Sequence, residues 1–356
     1  YIFLLWAVYF TLANTIVQGL GIFISPIVSK NLAKGNMRKI QSISIIGFVL
    51  AYASYSLAKS PIHLYMSSFF VGLFYLNSTL IPVSMMVTNW FVEKRGIAMS
   101  VTMAGIGLGG TIFSPIVTNL LQNYGWRHTY LIMAGIILVV ALPVALFVLK
   151  KSPEQMGLKA YGAEKQAANN AKQGTKKQGV LISVKESKTK LFFLLMIVGM
   201  LANGIINSGA LGQFPPALEE LHGASVQAAI ISLYSLVGIF GKIFIGWIND
   251  KFGVVVSATY GCIMFGLAFV FMLLGQNTNM LYIMAVVFGF GNAIGTVIPP
   301  LVTSEVFGME KYPEAYGMVN SATQVGLSLG SLLVASMYDL NGSYTLAWML
   351  LLVLTA

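Results

Sequence analysis

Long apolar runs separated by short polar turns extend along the whole chain. A helix needs about 20 apolar residues to cross the hydrocarbon core of a bilayer, and a membrane β-strand would alternate apolar and polar positions instead. No such alternation is found, so the pattern predicts an all-α membrane protein. The predicted spans are 3–28, 40–59, 61–88, 97–122, 128–149, 191–213, 226–249, 255–275, 279–303, 314–337 and 343–356. Because the first and last runs look cut, we expect one further helix in front and twelve spans in all.

The loops predict how these spans are oriented. Eighteen of the 21 lysines and arginines fall in alternate loops, ten of them between Lys150 and Lys190, whereas the opposite loops hold only Lys59 and Arg127. Cytoplasmic loops carry such an excess of positive charge. The net charge of +10 is therefore a topology signal and not a nucleic-acid footprint. We expect a multi-pass protein of a plasma membrane, most simply the inner membrane of a bacterium, in contact with the lipid bilayer and with no nucleic-acid partner.

Composition excludes several other classes of protein. Hydrophobic residues make up 57% of the chain and charged residues 9%, whereas a soluble domain carries about a quarter charged residues. The single cysteine and three scattered histidines form no metal-binding spacing. No catalytic arrangement is readable either, so we expect no enzyme, no metal and no cofactor.

A polar segment divides the chain into two similar parts. Residues 151–190 are rich in Lys, Gln and Ala without apolar periodicity, which predicts a solvated cytoplasmic linker between an N-terminal half, 1–150, and a C-terminal half, 191–356. In each half a charged turn leads into a helix rich in small residues, at 89–110 and 304–331, a repeat of roughly 220 residues. Repeated helical halves predict a transporter, here a monomer, that rocks about a site at the membrane midplane.

The loop "GWINDKFG", Gly246 to Gly253, joins two spans on the cytoplasmic side. The carboxylate of Asp250 at the end of a helix is disfavoured by the helix dipole, so a cation or the N-terminus of a neighbouring helix would stabilise it. A contact of that kind breaks when the cytoplasmic side opens, which predicts a conformational switch. The alternative is an Asp–Lys pair in solvent that only fixes topology. The predicted switch residues are Gly246, Asp250, Lys251, Gly253, Lys94 and Arg95.

Lys242 interrupts an apolar run eight residues before Asp250, which is about 12 Å along a helix. That depth exceeds the roughly 6 Å reach of a lysine that snorkels to the headgroups. A charge inside the membrane costs about 2.5–3.5 kcal/mol on insertion scales and usually faces a cavity or a partner. The position favours a functional lysine that faces a cavity over a structural one.

Other polar side chains within spans are candidates for the substrate path. They are Asn14, Gln18, Asn203, Asn207, Tyr234, Thr323 and Gln324. Asn14 and Gln18 are four residues apart, as are Asn203 and Asn207, so each pair shares a helix face. For each candidate the competing interpretation is a hydrogen bond between helices or, for Tyr234, packing.

The motifs carry a family resemblance over essentially the whole chain. "GWINDKFG" resembles the short loop signature G-x-x-x-D-[RK]-x-G of the major facilitator superfamily. "WFVEKRGIAMSVTMAG", 90–105, resembles the oxalate–formate antiporter and monocarboxylate transporter group, as do "YGWR", 124–127, and "SPEQMGLKAYG", 152–162. The resemblance implies the major facilitator fold, with family helices 2–6 in the first half and 7–12 in the second, and secondary transport by alternating access.

The resemblance also bears on substrate and site. Lys242 matches in spacing an arginine that binds substrate carboxylate in this group, and Thr323 falls where dicarboxylate members have a second cation. One cation favours a monocarboxylate over oxalate. The first-half loop departs from the family pattern, with Ser29 where Asp is usual, so the two halves need not share the same latch.

Coupling and substrate stay open at this level. No acidic residue lies within the visible spans, so anion exchange and a proton symport linked to Lys242 are both compatible with the sequence, with exchange slightly favoured. Protons or a counter-anion would be the second transported species. The alternatives are a transporter of neutral solutes or drugs in which Lys242 is structural, and a membrane sensor built on a transporter scaffold.

Overall fold

A computed structural model describes residues 2–165 and 191–355, without the side chains of 2–11 and 114, so most of the predicted linker lies outside the described residues. The described residues are almost entirely helical, as predicted, with one isolated β-bridge between Phe91 and Tyr161. The α-helices are α1 (Ile2–Lys34), α2 (Met37–Ser54), α3 (Pro61–Ser78), α4 (Leu80–Trp90), α5 (Arg95–Pro143), α6 (Leu191–Phe252), α7 (Val254–Leu273), α8 (Thr278–Gly291), α9 (Ile298–Asn341) and α10 (Thr345–Thr355).

Glycine turns divide the longest helical stretches. In the described part of the chain, seven helical stretches are long and apolar enough to cross a membrane, and three of them run for 54, 62 and 64 residues. A helix of that length would measure about 80–95 Å, against about 30 Å for the hydrocarbon core. Each of the three contains a glycine in the left-handed region, at Gly125 (φ 70°), Gly223 (φ 81°) and Gly308 (φ 68°). Counted as two spans each, and with the short α10, they reproduce the eleven predicted segments.

Two predicted spans are interrupted in the middle. The span predicted at 61–88 breaks at Thr79 (φ −119°, ψ −120°), and the one predicted at 279–303 breaks between α8 and α9 at a 3-10 turn, Asn292–Gly295. The sequences after the breaks correspond, "TLIP" from Thr79 and "TVIP" from Thr296. The proline in each lacks the N–H that would bond the residue four positions back, which favours an interruption at that point. The internal repeat therefore extends to matching interruptions.

The N-terminal helices meet the C-terminal helices along α5 and α6. On α5 the contacts come from Gly96, Ser100, Met103 and Gly107, which share one helix face at spacings of three and four. Further along the same face of α5, a side chain built at Gly110 would meet nothing within 4 Å. The contact is thus confined to the end of the bundle that carries the basic turns at 30–39, 94–95 and 251, which we call the basic end.

A second contact joins α1 and α9 at the same end. Asn320 on α9 donates to Ser25 Oγ on α1 at 2.8 Å. Gly317 lies against the backbone of Pro26, and Gln324 lies against Gly21. The basic end is therefore closed by α1 with α9 and by α5 with α6, and α4 also packs there, with Ile81 and Met85 against Tyr312 and Tyr316 of α9.

Candidate functional site

Lys242 lies at the crossing of α6 and α5. Only 6% of its surface is exposed, and its ammonium donates to the backbone carbonyl of Met103 at 3.2 Å. The adjacent Gly241 packs against the backbone of Gly289 and Phe290, just before the interruption between α8 and α9. Within the described residues, no acidic side chain lies within ion-pair distance of Lys242. An ammonium has three donors, so the Met103 carbonyl leaves hydrogen-bonding capacity for an anion.

Asn207 lies beside the same interruption, on α6. It is buried, and its amide nitrogen donates to Asn203 Oδ1 and to the Asn203 carbonyl, both at 3.0 Å. A side chain at Gly295, in the 3-10 turn, would come within 2.5 Å of the Asn207 amide. The predicted pair therefore forms one polar unit against the interrupted segment.

Asn14 and Gln18 line a separate cavity of about 390 Å³ among the N-terminal helices. Its other polar groups include the tyrosines Tyr52, Tyr75 and Tyr130. The Tyr52 and Tyr130 rings pack edge to face at 5.0 Å. These residues form an aromatic wall with two amides, distinct from the crossing at Lys242.

Thr323 and Gln324 lie next to each other on α9. Both are buried, but they face different helices: Gln324 lies against Gly21 on α1, whereas the backbone of Thr323 lies against Gly204 on α6 and its hydroxyl donates to the Val319 carbonyl at 3.1 Å. Tyr234 lies elsewhere, in the apolar core of the C-terminal helices, edge-on to Phe288 at 5.2 Å. The predicted path residues are thus distributed over several sites, and their roles stay predictions.

Asp250 caps the first turn of α5. Its two carboxylate oxygens accept from the backbone N–H of Gly96 at 2.6 Å and of Ile97 at 2.8 Å. The orphan N–H groups and positive dipole at a helix start favour an anion there. Of the two partners expected for Asp250, the helix N-terminus is the one that the structure shows.

Close packing and backbone conformation explain why glycine occupies positions 246 and 253 of the loop and position 96 of the facing helix α5. A side chain at Gly96 would come within 2.5 Å of the Gly246 carbonyl, and one at Gly246 within 2.6 Å of Ser100 Cβ, so both glycines allow α5 and α6 to approach. Gly253 adopts φ 87° between α6 and α7, a conformation that L side chains rarely adopt. The loop pattern therefore follows from one close crossing and one tight turn.

The basic residues of the predicted switch have different surroundings. The Lys251 ammonium lies over the rings of Trp247 and Phe252, 4.9 and 5.1 Å from their centroids. Lys94 adopts the left-handed conformation (φ 56°) immediately before α5. Arg95 bridges the turn by donating from Nε to the Phe91 carbonyl at 2.9 Å.

The first-half loop differs in the way that its sequence predicted. Ser29 is fully buried and lies beside Gly317 on α9, and within the described residues its hydroxyl has no hydrogen-bond partner. The contact at α1 and α9 therefore lacks the carboxylate that Asp250 brings to α5. Sequence reasoning missed Met103 and Ser100, although the small residues at 96, 100 and 107 on one face of α5 were a readable signal.

A bundle of apolar helices with matching interruptions, a buried ammonium and a carboxylate that joins two helices at one end is the architecture of a polytopic membrane protein. Residues 5–229 and 193–356 match the family model of the Major Facilitator Superfamily, so the chain belongs to this superfamily. It is a transporter-family protein and not an enzyme.

Several relatives support the resemblance to the monocarboxylate group. Monocarboxylate transporter 12-B of Danio rerio is 26% identical over 331 residues, which cover 82% of this chain and 67% of that protein. Monocarboxylate transporter 12 of Homo sapiens is 24% identical over 288 residues, with coverages of 76% and 56%. An uncharacterized MFS-type transporter of Escherichia coli, YhjX, is 27% identical over 247 residues, with coverages of 68% and 57%. The chain thus spans 56–67% of the length of these relatives.

Solved structures show the same fold at low identity. The human organic anion transporter MFSD10 (TETRAN) superposes with a TM-score of 0.73 at 15% identity, over 97% of this chain and 83% of that one. The proton:xylose symporter XylE superposes with a TM-score of 0.71 at 15% identity, over 98% and 84%. The predicted major facilitator fold is therefore confirmed.

Proposed function

We propose that this protein moves a small organic anion, a monocarboxylate in the first instance, across the membrane by alternating access. The observation that carries the proposal is the buried Lys242 ammonium, whose described partner is a single neutral carbonyl, that of Met103. A buried charge without an opposite charge is costly, so a carboxylate that enters the site supplies what the protein does not. The relatives named as monocarboxylate transporters support this substrate class.

The proposed movement separates residues 1–150 from 191–356, with 151–190 as the linker. The contacts of the basic end, Asp250 with α5 and Asn320 with α1, would break to open one side. If the basic end is cytoplasmic, as its charge predicts, the structure corresponds to a state closed toward the cytoplasm. Met103 lies on α5 and Lys242 on α6, so the hydrogen bond between them joins the two parts. A carboxylate bound to Lys242 would compete with the Met103 carbonyl and so weaken this bond.

Uptake of labelled monocarboxylates into proteoliposomes tests the central assignment. Lys242→Ala removes the charge-assisted hydrogen bonds, worth about 1.5–3 kcal/mol, so we expect a rise in KM of about ten- to hundredfold or loss of uptake. Lys242→Arg keeps the charge and adds a planar fork, so uptake should persist with altered selectivity among carboxylates.

Lys59→Ala is the matched control, because Lys59 is an exposed lysine in a loop at the opposite end. It should leave uptake unchanged. If folded Lys242→Ala took up monocarboxylates like the parent protein, Lys242 would not be the anion contact.

A transporter of neutral solutes is the second candidate, and the bond from Lys242 to Met103 favours it in one respect. That bond is what a structural lysine joining two helices would make. Competition separates the two functions, since carboxylates should displace a bound anion substrate and leave a neutral one in place.

Two further measurements address the remaining alternatives. Substrate binding without flux would favour a membrane sensor over a transporter. Counterflow with unlabelled anion separates anion exchange from proton symport.

A further inference from the structure

The segment that follows the last N-terminal span is tied to the helix ends at the basic end. We call residues 149–162 the strap. The Leu149 carbonyl accepts from Arg38 Nε and Nη2 at 3.3 and 3.2 Å, and the Lys150 carbonyl accepts from Trp90 Nε1 at 3.0 Å. The Lys151 ammonium donates to the Ala33 carbonyl. The start of the predicted linker is therefore part of the folded bundle.

The far end of the strap pairs with the turn between α4 and α5. Tyr161 N–H donates to the Trp90 carbonyl at 2.8 Å, and the Tyr161 carbonyl accepts from Val92 N–H at 2.9 Å and Glu93 N–H at 3.1 Å. Gly162 has φ 85° and packs directly on Glu93, so that a side chain at 162 would overlap Glu93 Cβ and approach its nitrogen to 2.8 Å. Three backbone bonds and one close contact thus fix residues 90–93.

This turn leads at once to the groups that bind Asp250. Three residues after Glu93, Gly96 N–H donates to the Asp250 carboxylate, followed by Ile97 N–H. Between them the backbone passes through Lys94, which adopts the left-handed conformation although that conformation is unfavourable for a residue with a side chain. The direction in which the first N–H groups of α5 point is therefore set by how the preceding four residues are held.

We propose that the strap is a positioning element of the gate at the basic end: by fixing residues 90–93 it orients the first turn of α5 toward Asp250 and so stabilises the closed state. The inference rests on the proposed alternating access, in which this contact opens and closes. Preorganised donors bind better because no conformational freedom is lost on binding. A released strap should therefore weaken the closed state more than the open state, where Asp250 is detached from α5.

Two glycines of the strap offer a matched comparison. Gly162→Ala adds a methyl group against Glu93, whereas Gly157→Ala adds one where nothing lies within 4 Å. Both glycines have positive φ, 85° and 70°, so the backbone disfavours a side chain at both positions. Only the first substitution pushes the strap away from the turn.

Thiol labelling in vesicles of known sidedness reads the gate directly. In a Cys262→Ser background, Ser304→Cys is the reporter at the basic end, where Ser304 is 4% exposed and lines a crevice with Arg95 and Asp250. Thr111→Cys, on the exposed part of α5, reports the opposite side. Gly162→Ala should label several-fold faster than the parent at residue 304 and more slowly at 111, while Gly157→Ala follows the parent.

Three results would overturn the proposal. The first is an unchanged labelling rate in Gly162→Ala. The second is faster labelling at both 304 and 111, which would mean a general loosening of the protein. The third is an effect of Gly162→Ala on labelling that is just as large in an Asp250→Asn background, where the proposed partner of α5 is weakened. If Gly162→Ala does not fold, Tyr161→Pro, which removes the N–H donated to Trp90, replaces it. Labelling needs no substrate, so failure of the carboxylate assignment at Lys242 and failure of the strap are distinguishable.

Discussion

At the scale of single residues, the contact between α5 and α6 at the basic end includes a carboxylate that receives two backbone hydrogen bonds. The side chain of Asp250 is exposed, so solvent screens its charge. Its contribution to stability therefore comes mainly from the two hydrogen bonds that it accepts from the Gly96 and Ile97 amides. Charges at a helix start are worth about 0.3–1 kcal/mol when exposed, and capping bonds about 0.5–2 kcal/mol. A contribution of this size would bias the proposed equilibrium between two states without locking either of them.

Asp250→Asn should shift that equilibrium toward the state open at the basic end. The amide keeps one acceptor oxygen but loses the second acceptor and the charge, so we expect a loss of about 1 kcal/mol, or about fivefold in population. The labelling rate at Ser304→Cys measures the shift. Asp339→Asn, an exposed acid on the last turns of α9 at the opposite end, is the control. An unchanged rate in Asp250→Asn would contradict the role of the carboxylate as a latch.

At the scale of helices, close crossings are made by glycine. Gly204 on α6 lies against the backbone of Leu327 on α9, while Gly326 and Gly330 on α9 lie against the backbones of Leu201 and Ile205. Small residues allow helices in membranes to pack by van der Waals contact, since no hydrophobic force drives them together. The pairing of α6 with α9 is thus built for tight packing within the C-terminal helices.

Gly326→Ala should destabilise the protein by about 1–3 kcal/mol, because its methyl group would overlap the Leu201 carbonyl and force α6 and α9 apart. Gly135→Ala, in a helical position on α5 with nothing within 4 Å, should be neutral or slightly stabilising. Thermal unfolding in detergent measures both changes. Equal stability of the two variants would show that the crossing of α6 and α9 tolerates a wider separation.

At the scale of the whole molecule, the N-terminal and C-terminal helices touch at the basic end and separate toward the other. The two contacts differ in chemistry: α5 and α6 share a carboxylate with amide donors, whereas α1 and α9 share neutral side chains, Ser25 with Asn320. Alternating access requires that both contacts release together. A covalent link across either should hold the molecule in one state.

Ser25→Cys with Asn320→Cys, joined by a short thiol cross-linker in a Cys262→Ser background, should abolish transport until the link is cleaved. The native side chains are 2.8 Å apart. Gln213→Cys with Ser331→Cys is the control, because these side chains are 3.0 Å apart but lie within the C-terminal helices, which should move together. Full transport by the 25–320 cross-linked protein would mean that the basic end does not open by separating α1 from α9.

The sequence alone determined the class, the spans and the orientation signal. These follow from local properties, since apolar run length and loop charge are set by a residue and its neighbours. It also singled out Lys242 by depth and Asp250 by its place at a helix end. It predicted two spans as continuous where the structure breaks them, although "TLIP" and "TVIP" at 79 and 296 carried the proline signal.

The tertiary structure decided which groups these residues meet. Lys242 binds a carbonyl 139 residues away, and Asp250 binds N–H groups 154 and 153 residues away. The strap likewise holds the turn through the backbone of Tyr161. Every residue other than proline carries the same N–H and C=O groups, so a partner of this kind leaves no mark in the sequence, and only the packing of the helices selects it.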